Sequence, residues 1–445
     1  MVVKVIDSVP GSGKTSWAIN YFNDNPDKNF IFITPLLSEV KRVKKSCPDL
    51  NFIEPDRKLG DGRKYGHLIK LVREKRNIAS THSLITYATD GLIELLKEGK
   101  YTLVLDEVLD VVSQFDLNFP KDSENEEDVR RSKLTRRDLK SLMSLGAIEI
   151  LDDFGVSWVD EENILTPYKT LIKLGQRKLI YLINNSFLLW TFPPELFMEG
   201  VFDEKFLLTY QFEHQFQSAY FRYFDIAYEY WRVINEDGKY SILEGYGSTQ
   251  QEFLDNLSSL IEICESPIRN AVGDPYISSN GKIKYSRLSV SSYNAYGNEI
   301  IPEIQKQVTG FFTYDTNSTS KDRLWTCLLA NKNDIRKKNI NVNNWLAMNT
   351  RATNDHGDKT TLAYLMNRYP NPYISRFFAQ KGIGIDPDGF ALSEMIQWIF
   401  RSAIRNNKKI NIYIPSFRMR EMLKSYLRGE NISEYKDKAK VSRND

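Results

Sequence analysis

Lys14 and Thr15, Asp106 and Glu107, and Gln397, Arg401 and Arg405 are the residues whose types and spacing fit one chemistry. Lys14 and Thr15 close the run Ser8-Val9-Pro10-Gly11-Ser12-Gly13-Lys14-Thr15-Ser16. Glycines let successive backbone N–H groups curl around an anion, and a helix N-terminus behind them adds partial positive charge. In such a loop Pro10, Gly11, Ser12, Gly13, Lys14, Thr15 and Ser16 hold the phosphates of ATP. Lys14 reaches the β- and γ-phosphates, and Thr15 offers a hydroxyl to Mg²⁺. Ser8 stands where the usual first glycine would be, a turn that serine makes at some steric cost. Asp106-Glu107 follows the apolar run Leu103-Val104-Leu105. An aspartate at a strand tip can hold Mg²⁺ opposite Thr15, and the next carboxylate can orient and deprotonate an attacking water. Gln397, Arg401 and Arg405 recur at four-residue steps, which puts them on one face of a helix expected over 391–404. There an arginine can neutralise charge developing on a γ-phosphate. Alone, the same spacing reads as an exposed basic face paired to acids such as Glu394.

These groups need strands and helices to bring them together. Residues 2–6 read as a buried strand and residues from 14 on as a helix. A second strand over 29–33 ends in Thr34-Pro35, residues 78–83 read as a short strand and turn, and a third strong strand over 101–105 runs into Asp106-Glu107. Alternating strands and helices predict a parallel α/β sheet, whose ligands sit at the carboxyl ends of the strands. The glycine loop, Thr34, Thr81 and Asp106-Glu107 all fall at such ends. A polar, acidic stretch opens an insertion over 116–178, with a helix over 135–145 and a hairpin from 148–150 to 156–158. The sheet is expected to resume at 179–183, 187–191 and 206–210. The aromatic run over 220–231 reads as core or domain seam rather than as a base-stacking face. A turn at 235–238 marks the boundary between a first domain, 1–234, and a second, 235–432, with a charged tail over 433–445. In the second half, strands are expected at 288–290, 344–349 and 409–414.

The chain has 445 residues, 41% of them hydrophobic and 27% charged, which implies more than one domain. Mean hydropathy is −0.43, and no apolar run approaches membrane-spanning length, so no membrane partner is expected. Three distant cysteines and four histidines argue against a zinc site or a disulfide frame. With no basic leader before the first strand, the cytoplasm is the expected compartment. The 60 basic and 58 acidic residues nearly cancel, but basic side chains cluster over 401–428 and 41–64. Such clusters suit a phosphate backbone, although each alone reads as a solvated face.

With these residues placed, the chain resembles the superfamily 2 helicases, most closely the bacteriophage DEAD/DEAH-type DNA helicases. Residues 8–15 match motif I, Ile33-Thr34-Pro35 motif Ia, Thr81-His82-Ser83 a later backbone-contacting motif, and Asp106-Glu107 motif II, with Val108-Leu109 in place of its last two letters. Residues 190–194 take the place of motif III, 349–354 resemble motif V and 397–405 motif VI. The resemblance implies two RecA-like parallel-sheet domains with ATP and Mg²⁺ between them, and single-stranded nucleic acid lying across both. Lys14, Thr15, Asp106 and Glu107 then take the ATPase roles, and Gln397, Arg401 and Arg405 sense the γ-phosphate. Thr34, Pro35, Thr81, His82, Thr353 and Asn354 grip the backbone. The upstream glutamine motif that reads adenine has no room here, which points to DNA over RNA and to loose base selectivity. The expected activity is an ATP-dependent DNA helicase or translocase on single-stranded and forked duplex DNA, working with replication proteins in phage replication or recombination. A terminase-like packaging motor and a nucleotide-gated binding protein without unwinding are the alternatives.

Overall fold

Near-continuous runs of β-branched and aromatic residues build a sheet that must be covered on both faces. The structure, a computed structural model, describes residues 2–60, 62–86, 88–114, 141–151, 155–158, 179–183, 186–245, 250–348, 355–434 and 436. The first sheet has seven strands: β1 (Val3–Asp7), β2 (Asn29–Thr34), β3 (Ile78–Thr81), β4 (Tyr101–Asp106), β5 (Glu204–Thr209), β6 (Tyr228–Glu236) and β7 (Lys239–Glu244). Their spatial order is β7-β6-β1-β5-β4-β2-β3, and every pair is parallel except β6 with β7.

Alternate side chains feed two cores. Val3, Val5, Ile31, Ile33, Leu103, Leu105 and Leu207 share one face. Ile6, Phe30, Phe32, Val104, Phe206 and Leu208 share the other, beneath Trp17, Ala18 and Phe22 of helix α1 (Lys14–Asn23) and Val40 and Val43 of α2 (Leu37–Ser46). The strand that follows the glycine loop's own strand in space is β5, which separates β1 from β4. The carboxyl ends of β1 and β4 therefore flank a crevice with β5 at its floor.

The second sheet joins β8 (Ile261–Ile263), β9 (Arg323–Thr326), β10 (Thr361–Tyr364) and β11 (Ile410–Tyr413) in the order β8-β11-β10-β9, all parallel. The α/β class with two RecA-like parallel sheets is thus the architecture of the chain. The two units interlock. Ile374, Phe377 and Phe378 of α3 (Pro372–Gln380) pack into the first unit's core, with the Phe377 ring 5.3 Å from that of Trp190. Tyr210, just past β5, enters the second unit's core, and its hydroxyl meets that of Tyr426. The aromatic run over 220–231 is core at Tyr220 and Phe221, as read from the sequence.

Several elements differ from the sequence expectation. The strands near 180 and 190 do not continue the main sheet; Ile180–Ile183 and Ser186–Trp190 form a separate antiparallel sheet with Val112–Gln114. The turn near 235 lies inside the first sheet: Asp237 (φ 50) and Gly238 (φ 86) make a two-residue turn with both φ positive, and the sheet runs on to Glu244. Leu288-Ser289-Val290 is a helix start, where Ser289 Oγ accepts from the Ser292 N–H at 3.3 Å. Residues 342–344 form a 3₁₀ turn, and Trp345 makes only an isolated bridge to Trp325. The strands β9 and β10 escaped the reading because four residues are too few to show a period. The hairpin at Ile148–Ile150 and Val156–Trp158 pairs as expected. Residues 115–140, 159–178 and 437–445, most of the expected insertion and tail, lie outside the described residues.

Candidate functional site

Gly11 (φ 86) and Gly13 (φ 91) occupy the left-handed region, the conformation that lets the loop after β1 fold back on itself. Gly13 caps α1 without a side chain, so the helix's first N–H groups face the loop unshared by any cap. Ser8 has a task that a glycine would not perform. Its Oγ accepts from the Val233 N–H at 2.8 Å and ties β1 to β6, while its backbone N–H, which a glycine would also offer, donates to Thr209 O at 3.1 Å beside β5. Lys14 Nζ donates to Ser8 O at 2.6 Å and Val9 O at 3.2 Å, folded back over its own loop. Burial pushes its pKa down, while Glu107, Asp7 and Asp106 pull it up.

Asp106 is the best-supported side chain of the cleft. Thr15 Oγ1 donates to its Oδ1 at 3.4 Å, Thr34 Oγ1 donates to its Oδ2 at 3.1 Å, and His82 Nε2 lies 3.3 Å from its carbonyl oxygen. Burial, then Glu107 and Glu39, push its pKa up to about 7. Glu107 follows at φ 74 with its N–H donating to Leu208 O at 2.9 Å, so the strand ends in a left-handed turn at the cleft. Non-glycine residues held there are a familiar mark of functional sites.

The second unit supplies the opposite wall. Gln397, Arg401 and Arg405 all line the same cavity, of about 280 Å³, as Pro10, Gly11, Gly13, Lys14, Thr15, Ser16, Asp106 and Glu107. They do so without sharing one helix. Helix α4 (Pro387–Ile399) stops early because the N–H groups of Arg401 and Ser402 bond three residues back, to Trp398 O and Ile399 O at 3.0 Å. Ser402 Oγ donates to Ile399 O at 2.6 Å, and Ala403–Asn406 winds on as a 3₁₀ turn. The equal spacing therefore comes from helix plus turn. Arg401 is 9% exposed and close enough to Lys14 to lower that lysine's pKa.

Of the residues expected on a nucleic-acid backbone, Thr34, Pro35, Thr81 and His82 stand at the ends of neighbouring strands, with Thr34 paired to Thr81. Thr34 is fully buried with its hydroxyl on Asp106, so it braces a carboxylate rather than a surface. Pro35 and Thr81 are half-buried at strand ends, Thr81 with its hydroxyl 3.1 Å from that of Ser83. Half-buried His82 serves the Asp106 carbonyl, and Thr353 and Asn354 lie outside the described residues. The basic cluster over 401–428 also dissolves in part. Arg418 is buried, with Nη2 donating to Asp388 Oδ1 at 2.7 Å, and buried Arg420 donates to the carbonyls of Ile414 and Pro415.

Sequence reasoning missed Glu39, Arg42, Tyr210, Tyr240, Phe400 and Asn406, which also line the cavity. Arg42 Nη1 donates to Glu39 Oε2 at 3.2 Å and Nη2 donates to Ser16 Oγ at 3.0 Å, so α2 braces the start of α1. The signal for Tyr240 was present in part: Asp237-Gly238 between alternating apolar residues marks a hairpin, which lays β7 beside β6.

Comparison with known proteins gives three findings. Residues 255–427 match the family described as the YonV C-terminal Rossmann-like domain. Over 438 residues, 96% of this chain and 99% of the relative, the sequence is 36% identical to the SPbeta prophage-derived uncharacterized protein YonV of Bacillus subtilis (strain 168). Among solved structures, Xpd4 of S. tokodaii matches with a TM-score of 0.46 at 14% identity, over 98% of this chain and 95% of that one. An XPD helicase matches with a TM-score of 0.48 at 12% identity, over 97% and 95%.

Proposed function

The chain belongs to the family of the prophage protein YonV, and for this member we propose an ATP-hydrolysing motor of the helicase type that acts on DNA. One observation carries the reading: a glycine loop that follows β1 of the first sheet and two arginines in the turn before β11 of the second line a single cavity. A triphosphate is the ligand class that needs a phosphate-wrapping loop on one side and mobile positive charge on the other.

In this reading the N–H groups at Gly13, Lys14, Thr15 and Ser16 hold the phosphates, and Lys14 leaves the carbonyls of Ser8 and Val9 for the β- and γ-phosphates. The Thr15 hydroxyl and the Asp106 carboxylate are hard oxygen donors 3.4 Å apart, and the raised pKa of Asp106 marks a site that a cation would relieve. They fit Mg²⁺, which when bound offsets phosphate charge. Glu107 orients and deprotonates the attacking water, while Gln397, Arg401 and Arg405 stabilise the γ-phosphoryl group as it departs.

Closure of the cleft on nucleotide moves the two units together, and hydrolysis releases them. Strand-end residues Pro35, Thr81 and His82 on the first unit would then step along a single strand; Thr353 and Asn354, expected beside them, lie outside the described residues. The test is displacement of a labelled strand from a forked DNA with Mg·ATP. ATP-dependent displacement by the wild type and none by Lys14→Ala is expected. Turnover without displacement or translocation leaves a nucleotide-gated binding protein, and absence of DNA-stimulated turnover ends the motor reading.

A further inference from the structure

The cleft has aromatic lining that phosphate chemistry does not use. Tyr240 from β7 and Phe400 from the turn after α4 line the cavity from opposite units, alongside Gly13, Lys14 and Arg405. Tyr240 is fixed. It pairs with Asn235 across the hairpin, and it packs against the core that holds Ile6 and Trp17. Its ring lies directly on Gly13, so that a Cβ at that position would collide with three ring atoms. Phe400 is almost fully buried and is backed by Phe253, with ring centroids 5.9 Å apart and planes 21° from parallel.

A nucleotide anchored by its phosphates on Gly13, Lys14 and Thr15 carries a flat base one ribose ring beyond its α-phosphate, within reach of side chains that border the loop. A rigid tyrosine ring in contact with Gly13 offers that base a face. We propose that Tyr240 is the platform on which the base of the bound nucleotide stacks, with Phe400 as the facing wall. Stacking accepts any base, because every base has a π-face. The substrate class is therefore nucleoside triphosphates in general, with little preference for adenine. The inference rests on the triphosphate reading of the cleft.

Titration calorimetry with Mg·ATP, Mg·GTP, Mg·UTP and magnesium tripolyphosphate separates the two ideas. Wild-type protein is expected to bind the three nucleotides with dissociation constants within about tenfold of each other. Tyr240→Ala weakens all three by roughly 5- to 100-fold, the range found for single base-stacking residues, and leaves tripolyphosphate unchanged. Tyr240→Phe restores wild-type affinity. The proposal is overturned if Tyr240→Ala weakens tripolyphosphate as much as ATP, since the ring then only props the loop. It is equally overturned if nucleotide affinity does not change, or if ATP is preferred over GTP and UTP by more than about 100-fold, beyond what stacking alone discriminates. If wild-type protein binds none of the four, the triphosphate reading itself falls, and this proposal with it.

Discussion

Replacing Arg401 by alanine removes a nearly buried cation from the wall that faces Lys14. With only 9% of the residue exposed, salt and water screen it weakly. At an effective dielectric constant of about 20, one unit charge some 4 Å from another is worth ~4 kcal/mol. If the charge it meets develops mainly in the transition state, the loss falls on turnover rather than on binding. At ~1.4 kcal/mol per decade, that is about a 10³-fold slower hydrolysis step, at the lower edge of what arginine fingers supply. Single-turnover hydrolysis of Mg·ATP, measured beside nucleotide affinity, reads both quantities. Arg401→Lys keeps the charge without the planar fork and should fall between the two. A loss of affinity as large as the loss in rate would refute the reasoning, as would a rate lowered by less than about tenfold.

Asp106→Asn is expected to abolish turnover while stabilising the nucleotide-free protein at pH 8 by about 1–2 kcal/mol in chemical denaturation. The sign follows from the raised pKa of about 7: the folded protein binds the extra proton between about pH 4 and 7, so stability falls as pH rises through that window. In the wild type, Mg²⁺ should bind more tightly as pH rises through 7, with proton uptake by buffer on binding. Equal stability of wild type and variant at pH 8 would contradict this. Arg418→Ala should cost about 3 kcal/mol, because it removes the buried cation on Asp388 Oδ1 and leaves that carboxylate to Lys436 and the Ser433 hydroxyl on Oδ2; a cost under about 1 kcal/mol would place that pair among surface ion pairs.

The first sheet was legible because its strands are long, apolar and separated by helices of ordinary length. The convergence of Lys14, Thr15, Asp106 and Glu107 followed from their places at strand ends. The second sheet was harder, since β9 and β10 are four-residue runs opened by Arg323 and Thr361, and β-propensity says little over so short a window. Helix α4 was overrun because Phe400–Ile404 keeps an apolar period while the Ser402 hydroxyl ends the helix by bonding backbone. Thr34 looked like a surface contact because its neighbour Pro35 signals a strand end; only the fold reveals that its hydroxyl turns inward to Asp106. Arg418 and Arg420 counted as basic surface until burial gave them Asp388 and backbone carbonyls as partners. Arg42 reaches the cleft through helix packing, which no local pattern encodes, and Tyr240 through sheet order, of which the Asp237-Gly238 turn signals the hairpin alone.

The central claim, that two units of one chain act on a single triphosphate, is tested most directly by a double-mutant cycle across the cleft. Glu107→Gln and Arg401→Ala are each compared with the wild type and with the double variant in single-turnover ATP hydrolysis. Groups that work as one assembly lose nearly everything at the first removal, so the double variant should be no more than about tenfold slower than the worse single one. Losses that simply multiply would mean that the two residues act at independent places.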